Sequence, residues 1–119
     1  MNTKATGFAS PAQGYEEEGI DLNRLLIRNP PATYFFRLDS GDMAALGLSR
    51  GSLLVVDCSK APALNDYAIL RHEGQFLCRQ YQASLMSGSI VFTNGKEYIS
   101  PIPGETEIFG TVTASINIL

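Results

Sequence analysis

The sequence has no tryptophan, a single histidine and only two cysteines in 119 residues. One histidine leaves no room for a multi-histidine metal site, and no CxxC, HExxH, phosphate-loop or dinucleotide-binding pattern is present. A Ser-His-Asp triad would have to use His72, which falls at the tip of an expected hairpin and reads as a solvated turn residue. Two cysteines, Cys58 and Cys78, cannot form a disulfide framework and read as reduced, small, buried side chains. Basic residues are few and scattered: Lys and Arg number 9 against 12 Asp and Glu, a formal net charge of −3. Tight binding to a nucleic-acid backbone needs clustered cations, so direct sequence-specific DNA binding is not expected. No apolar run is long enough to span a membrane, and residues 1–13 lack the apolar core of a signal peptide. The expected location is the cytoplasm, with no membrane partner.

What is present is an ordinary globular balance, 45% hydrophobic and 18% charged, in a length that suits one domain. Residues 1–19 are poor in large apolar side chains and read as an extended N-terminal arm. Residues 20–119 read as the folded domain. Asp21 is a good N-cap for a short helix that carries Leu22, Leu25 and Leu26 on one face through Arg28 or Asn29. Pro30-Pro31 stops it.

Beyond the prolines the pattern becomes β-like. Residues 32–38 are aromatic and β-prone, and 40–47 read as a single helical turn closed by Gly47. Residues 53–57 (LLVVD) read as a strand buried on both faces. Residues 67–71 and 75–81 form a hairpin around Glu73-Gly74. Residues 89–92 form a strand ended by Asn94-Gly95. A last β segment, 108–118, is broken at Gly110. The expected architecture is mostly β, an antiparallel, partly rolled sheet with one short N-terminal helix.

Several segments taken together carry a more specific signal. Ser10-Pro11-Ala12, Tyr15, Glu17, Ile20 to Ile27, Asn29-Pro30 and Ala32 to Phe35 are followed by Gly51, Leu53-Leu54, Val56-Asp57, Gly74, Phe76 and Ile108-Phe109-Gly110. This series resembles the UmuD and LexA family of Ser-Lys autopeptidases (peptidase S24) over nearly the whole chain. The resemblance implies the LexA/signal-peptidase-like β-rich fold and an obligate homodimer. In that family a lysine that has lost its charge takes the serine's proton. The serine then attacks a residue-glycine bond in the protein's own arm, triggered by activated RecA filament or alkaline pH.

Both dyad positions depart from the family pattern. The serine of the family's Gly-Asp-Ser-Met falls on Asp42, before Met43, and the lysine of Phe-x-x-Lys falls on Arg79, in Phe76-Leu77-Cys78-Arg79. Arginine stays protonated and is no base, and a carboxylate is a poor nucleophile toward an amide. Lys4, Lys60 and Lys96 match no dyad position. Ser40, in Ser40-Gly41-Asp42-Met43, is a weak alternative nucleophile without a base. Thr6-Gly7 occupy the place of the scissile pair, near the start of the chain, as in the processed form of the family without a winged DNA-binding domain.

The resemblance therefore implies a non-catalytic, cofactor-free protein of the SOS response and DNA damage tolerance. It would act by dimerisation and by binding a Y-family translesion DNA polymerase, with RecA filament a further partner. Two alternatives stay open. One is a decoy that forms heterodimers with UmuD-like or LexA-like proteins and titrates them. The other is a peptidase that processes itself through Ser40. Ile108, Phe109 and Val112 lie in the segment that resembles the family's dimer contact. If the family backbone is kept, Asp42 and Arg79 face each other in a partly dry cleft as an ion pair, since either charge alone would be costly there.

Overall fold

A computed structural model describes residues 21–27 and 29–118. Helix α1 spans Leu22–Leu26, and the Asp21 carboxylate accepts hydrogen bonds from the backbone N–H groups of Asn23 and Arg24. It is shorter than the sequence suggests, ending at Leu26 rather than running to Arg28 or Asn29. Its leucines remain open: Leu22 is 60% and Leu25 52% exposed. The apolar face does form; Leu26 is half-buried, and Leu25 and Leu26 border a groove with Thr33, Asp57 and Val112. Pro30–Ala32 make a short 3-10 turn that leads into the sheet.

Seven strands follow: β1 (Thr33–Arg37), β2 (Leu53–Asp57), β3 (Tyr67–His72), β4 (Gln75–Ala83), β5 (Ile90–Thr93), β6 (Tyr98–Ile99) and β7 (Thr106–Ile116). They form one sheet in the order β1-β2-β7-β3-β4-β5-β6, with every neighbouring pair antiparallel. The expected mostly β architecture, with one short helix at its start, is what the chain adopts. β3 and β4 meet at Glu73-Gly74, with φ of 52° and 82°. Positive φ at both central residues is the hairpin geometry that matches strand twist, and it is why glycine takes the second place.

β7 is central and is not broken at Gly110. It runs through as an eleven-residue strand with two bulges, one against β3 between Ile69 and Leu70 and one against β2 between Val55 and Val56. A Cβ at Gly110 would lie 2.7 Å from Val56 Cγ1 and 3.1 Å from the Asp57 carbonyl oxygen. The glycine therefore marks a close crossing of β7 over β2, not a strand end. β2 is buried through Leu54, Val55 and Val56, as its apolar run suggests.

The larger core cluster joins Leu38, Met43, Leu48, Leu54, Val56, Ile69 and Cys78; a second joins Ala68, Leu70 and Phe92. Cys78 is buried and Cys58 half-buried, and both are free thiols. His72 differs from its sequence reading. It ends β3, its side chain is only 13% exposed, and Nδ1 lies 2.7 Å from Thr106 Oγ1 at the start of β7. The hairpin tip falls on Glu73-Gly74, which leaves His72 inside the sheet.

Candidate functional site

The site is built on the loop between β1 and β2 and on the middle of β4. Leu38 and Met43 are buried and fasten the loop to the main core. Leu38 N–H donates to the Ser52 carbonyl, and Gly51 N–H donates back to the Leu38 carbonyl. Between these anchors, Ala44–Leu46 make a 3-10 turn capped by Gly47 at φ 90°. The Tyr67 hydroxyl, from β3, donates to the Leu46 carbonyl at 3.1 Å. The turn that carries Asp42 is thus fixed on both sides. The Tyr67 clamp had no signal in the sequence, because a tyrosine opening a strand is unremarkable until the fold places it over another loop.

Arg79, on β4, is 8% exposed. Its Nη1 donates to Asp42 Oδ2 at 3.1 Å and to the Cys78 carbonyl at 2.8 Å. The Asp42 side chain keeps 37% of its surface in water. Its other oxygen, Oδ1, accepts the Ser40 hydroxyl at 2.7 Å. The structure brings Ser40, Asp42 and Arg79 into one hydrogen-bonded row. The arrangement differs in one respect from a two-bond guanidinium-carboxylate fork: one nitrogen holds one oxygen, and Ser40 takes the other. A buried charge beside a paired opposite charge avoids the cost of standing alone.

The row borders a cleft of about 210 Å³ lined by Phe36, Leu38, Ser40, Asp42, Phe76 and Cys78 among others. No lysine lines it among the described residues. Burial pushes the Cys78 thiol up to about 12, with the nearby Asp42 charge adding to the rise and Arg79 opposing it. Cys78 therefore stays protonated at neutral pH and offers the cleft no nucleophile. Arg79 keeps its proton in any accessible pH range, so it orients and neutralises but takes no proton. Among the described residues, no group of three His, Cys, Asp or Glu side chains could hold a metal ion.

Ile108, Phe109 and Val112 do not form one patch. Phe109 and Val112 pack against the main core, whereas Ile108 lies across from Leu70 of the second cluster and is 43% exposed. The β7 bulge next to Gly110 separates them. Phe109 instead joins an aromatic group, with ring centroids 5.3 Å from Tyr34, 5.5 Å from Phe36 and 5.4 Å from Phe76. Thr6 and Gly7 lie outside the described residues.

A mostly β domain with a short leading helix, and with a loop residue meeting a strand residue in a half-closed cleft, fits the class of β-rich autopeptidase-type domains. The comparisons with known proteins agree with that class. The Peptidase S24-like family model matches residues 1–113, and the chain belongs to that family, the UmuD and LexA type. The chain is 39% identical over 111 residues to protein SamA of Salmonella typhimurium strain LT2, covering 93% of this chain and 78% of the relative. It is 33% identical to protein ImpA of Escherichia coli, covering 93% and 77%. It is 31% identical over 116 residues to protein MucA of Escherichia coli, covering 94% and 78%. Among the described residues, no helix is long and apolar enough to cross a membrane.

Proposed function

We infer that this chain is a non-catalytic member of the family, working in the SOS response and DNA damage tolerance by dimerising and by binding a Y-family translesion polymerase in the cytoplasm. The observation that carries this reading is the Asp42-Arg79 contact at 3.1 Å. By its spacing to the segments that carry the resemblance, the pair falls where the family would hold its nucleophile and base. A charged, satisfied pair at that point supplies neither a hydroxyl nor a neutral amine. Ser40 is adjacent, but its hydroxyl is bonded to a carboxylate that is itself held by a guanidinium. The fold then remains as a binding module, and its partners are those that the family resemblance implies.

The test is capture from an SOS-induced lysate with the tagged full chain. Recovery of a Y-family polymerase supports the reading. Recovery of a LexA-like repressor or a UmuD-like protein without polymerase replaces it with a titrating role. Intact-mass measurement of the same sample separates both from self-processing, because a fragment beginning at Gly7 would demand an active nucleophile.

A further inference from the structure

We propose that Asn94-Gly95 is a site of spontaneous deamidation that the fold holds shut, so that it converts only in molecules whose β5-β6 turn has opened.

It is the chain's single Asn-Gly pair. A glycine after asparagine has no Cβ to hinder its backbone nitrogen and rotates freely, so the nitrogen can reach the neighbouring side-chain amide. In the reaction, hydroxide takes the Gly95 N–H proton and the nitrogen attacks Asn94 Cγ. The Cγ–Nδ2 bond breaks, ammonia leaves with a proton from water, and a succinimide ring remains. Water then opens the ring at either carbonyl. One opening gives aspartate. The other gives isoaspartate, whose backbone runs through the former side chain and is one carbon longer. Hydroxide and water are the only co-reactants.

The folded turn opposes this chemistry at each group. Thr93 and Asn94 are both buried. Asn94 Oδ1 accepts the backbone N–H groups of Lys96 and Glu97, both at 2.9 Å. The amide cannot swing toward Gly95 without breaking those bonds. Gly95 N–H donates to Thr93 Oγ1 at 2.9 Å, and that hydroxyl donates onward to the Glu97 carbonyl at 2.7 Å. Removing the Gly95 proton would set an anionic nitrogen against an oxygen whose own hydrogen is committed elsewhere. Ring closure also requires the peptide to rotate, and Gly95 is pinned. At φ 95°, it lies so close to the loop between β1 and β2 that an added Cβ would come 3.1 Å from Ala45 Cβ and 3.2 Å from Leu46 Cδ2. Thr93 pairs with Tyr98 across the base of the turn. Attack therefore waits on local opening.

The same turn braces the loop that carries Asp42, because Ala45 and Leu46 belong to its 3-10 turn. Aspartate at position 94 still offers an oxygen to Lys96 and Glu97, so the brace survives. Isoaspartate lengthens the turn, and the brace is lost.

The experiment incubates the full chain at mildly alkaline pH, in buffer and in unfolding urea, and follows Asn94 by peptide mapping for aspartate and isoaspartate. Folded wild type should convert at least about tenfold more slowly than the unfolded chain, because the open turn is a minor state. Equal rates overturn the proposal, and this comparison decides it even where a variant fails to fold. Thr93→Val keeps the branched shape but removes the acceptor of the Gly95 N–H, whereas Thr93→Ser keeps the hydroxyl. Folded Thr93→Val should convert several-fold faster than folded wild type, and Thr93→Ser should match wild type. A folded Thr93→Val as slow as wild type overturns the part given to the hydroxyl. Refolded isoaspartate material should unfold at a lower denaturant midpoint than Asn94→Asp, and equal midpoints overturn the bracing role.

Discussion

At the residue scale, the Asp42-Arg79 pair is asymmetric, and that asymmetry is measurable. Arg79 is nearly buried while Asp42 keeps more than a third of its side chain in water. Solvent therefore screens part of the attraction, and the pair is worth less than a fully dry one. Asp42→Ala strands a guanidinium in the interior and is expected to cost about 1–3 kcal/mol. Arg79→Ala leaves a carboxylate that water and Ser40 can still serve, so its electrostatic cost is smaller, although the loss of the long side chain adds a packing cost. A double-mutant cycle by chemical denaturation should give a coupling of about 1–2 kcal/mol. Purely additive effects would show that the contact holds nothing together.

The two thiols supply a second test at this scale. Burial holds Cys78 at about 12, and burial raises Cys58 less, with Asp57 adding to it. Native protein at pH 8 should react with iodoacetamide at Cys58 first, with Cys78 modified only on unfolding, as peptide mass mapping would show. The linkage has a definite sign. An unfolded thiol loses its proton near its ordinary value of 9.0, whereas folded Cys78 keeps it to about 12. Its contribution to stability is full below pH 9 and falls as pH rises between those limits. A flat denaturation midpoint from pH 8 to pH 11 would contradict this.

At the element scale, the bulged centre of β7 is the most exacting part of the fold. Gly110→Ala would push a methyl to 2.7 Å from Val56 Cγ1, with backbone atoms of Asp57 and Cys58 also at 3.1 Å. The backbone cannot give way as a flexible side chain could. The expected cost is about 2–3 kcal/mol, read as a lower denaturant midpoint at unchanged slope. A cost under half a kcal/mol would mean that the strands separate easily there.

Gly110 also shows what a sequence can and cannot reveal. A glycine inside a β-prone run signals either an end or a crowded crossing, and only the partner strand decides. Local signals did well where the cause is local: Asp21 caps α1, Glu73-Gly74 turns the hairpin, and Gly47 closes the 3-10 turn. They failed where the cause is distant. The leucine face of α1 needs a covering surface that lies outside its own segment, and His72 owes its burial to Thr106, 34 residues away. The Asp42-Arg79 meeting was legible because spacing to fixed anchors carries long-range information. The share of Ser40 in it was not, since a hydroxyl two residues away can turn to many partners.

At the scale of the whole molecule, the non-catalytic reading raises the question whether the cleft would have lost only its reacting atoms or also its shape. The loop that carries Asp42 is held by Leu38, Met43 and the Tyr67 hydroxyl, none of which depends on the ion pair. Arg79 is set by the β3-β4 register, Ala68 opposite Arg79, which is likewise independent of the loop. On the reading proposed above, the scaffold that would aim a serine and a lysine at each other is therefore kept. Wild type, incubated with activated RecA filament or at alkaline pH, should keep its full mass, because Arg79 cannot shed its proton at either condition. Asp42→Ser alone would leave a hydroxyl facing a cation and should also stay whole. Arg79→Lys alone would keep Asp42 as a counter-charge, and a paired lysine holds its proton, so it too should stay whole. Only the double variant Asp42→Ser with Arg79→Lys removes the counter-charge and places an amine in a cleft dry enough to lower its proton affinity. That variant should release a fragment beginning at Gly7 at alkaline pH, slowly, on a scale of hours. Cleavage in either single variant would put the base elsewhere in the molecule. An inert double variant with an unchanged denaturation midpoint would show that the cleft no longer receives the Thr6-Gly7 segment.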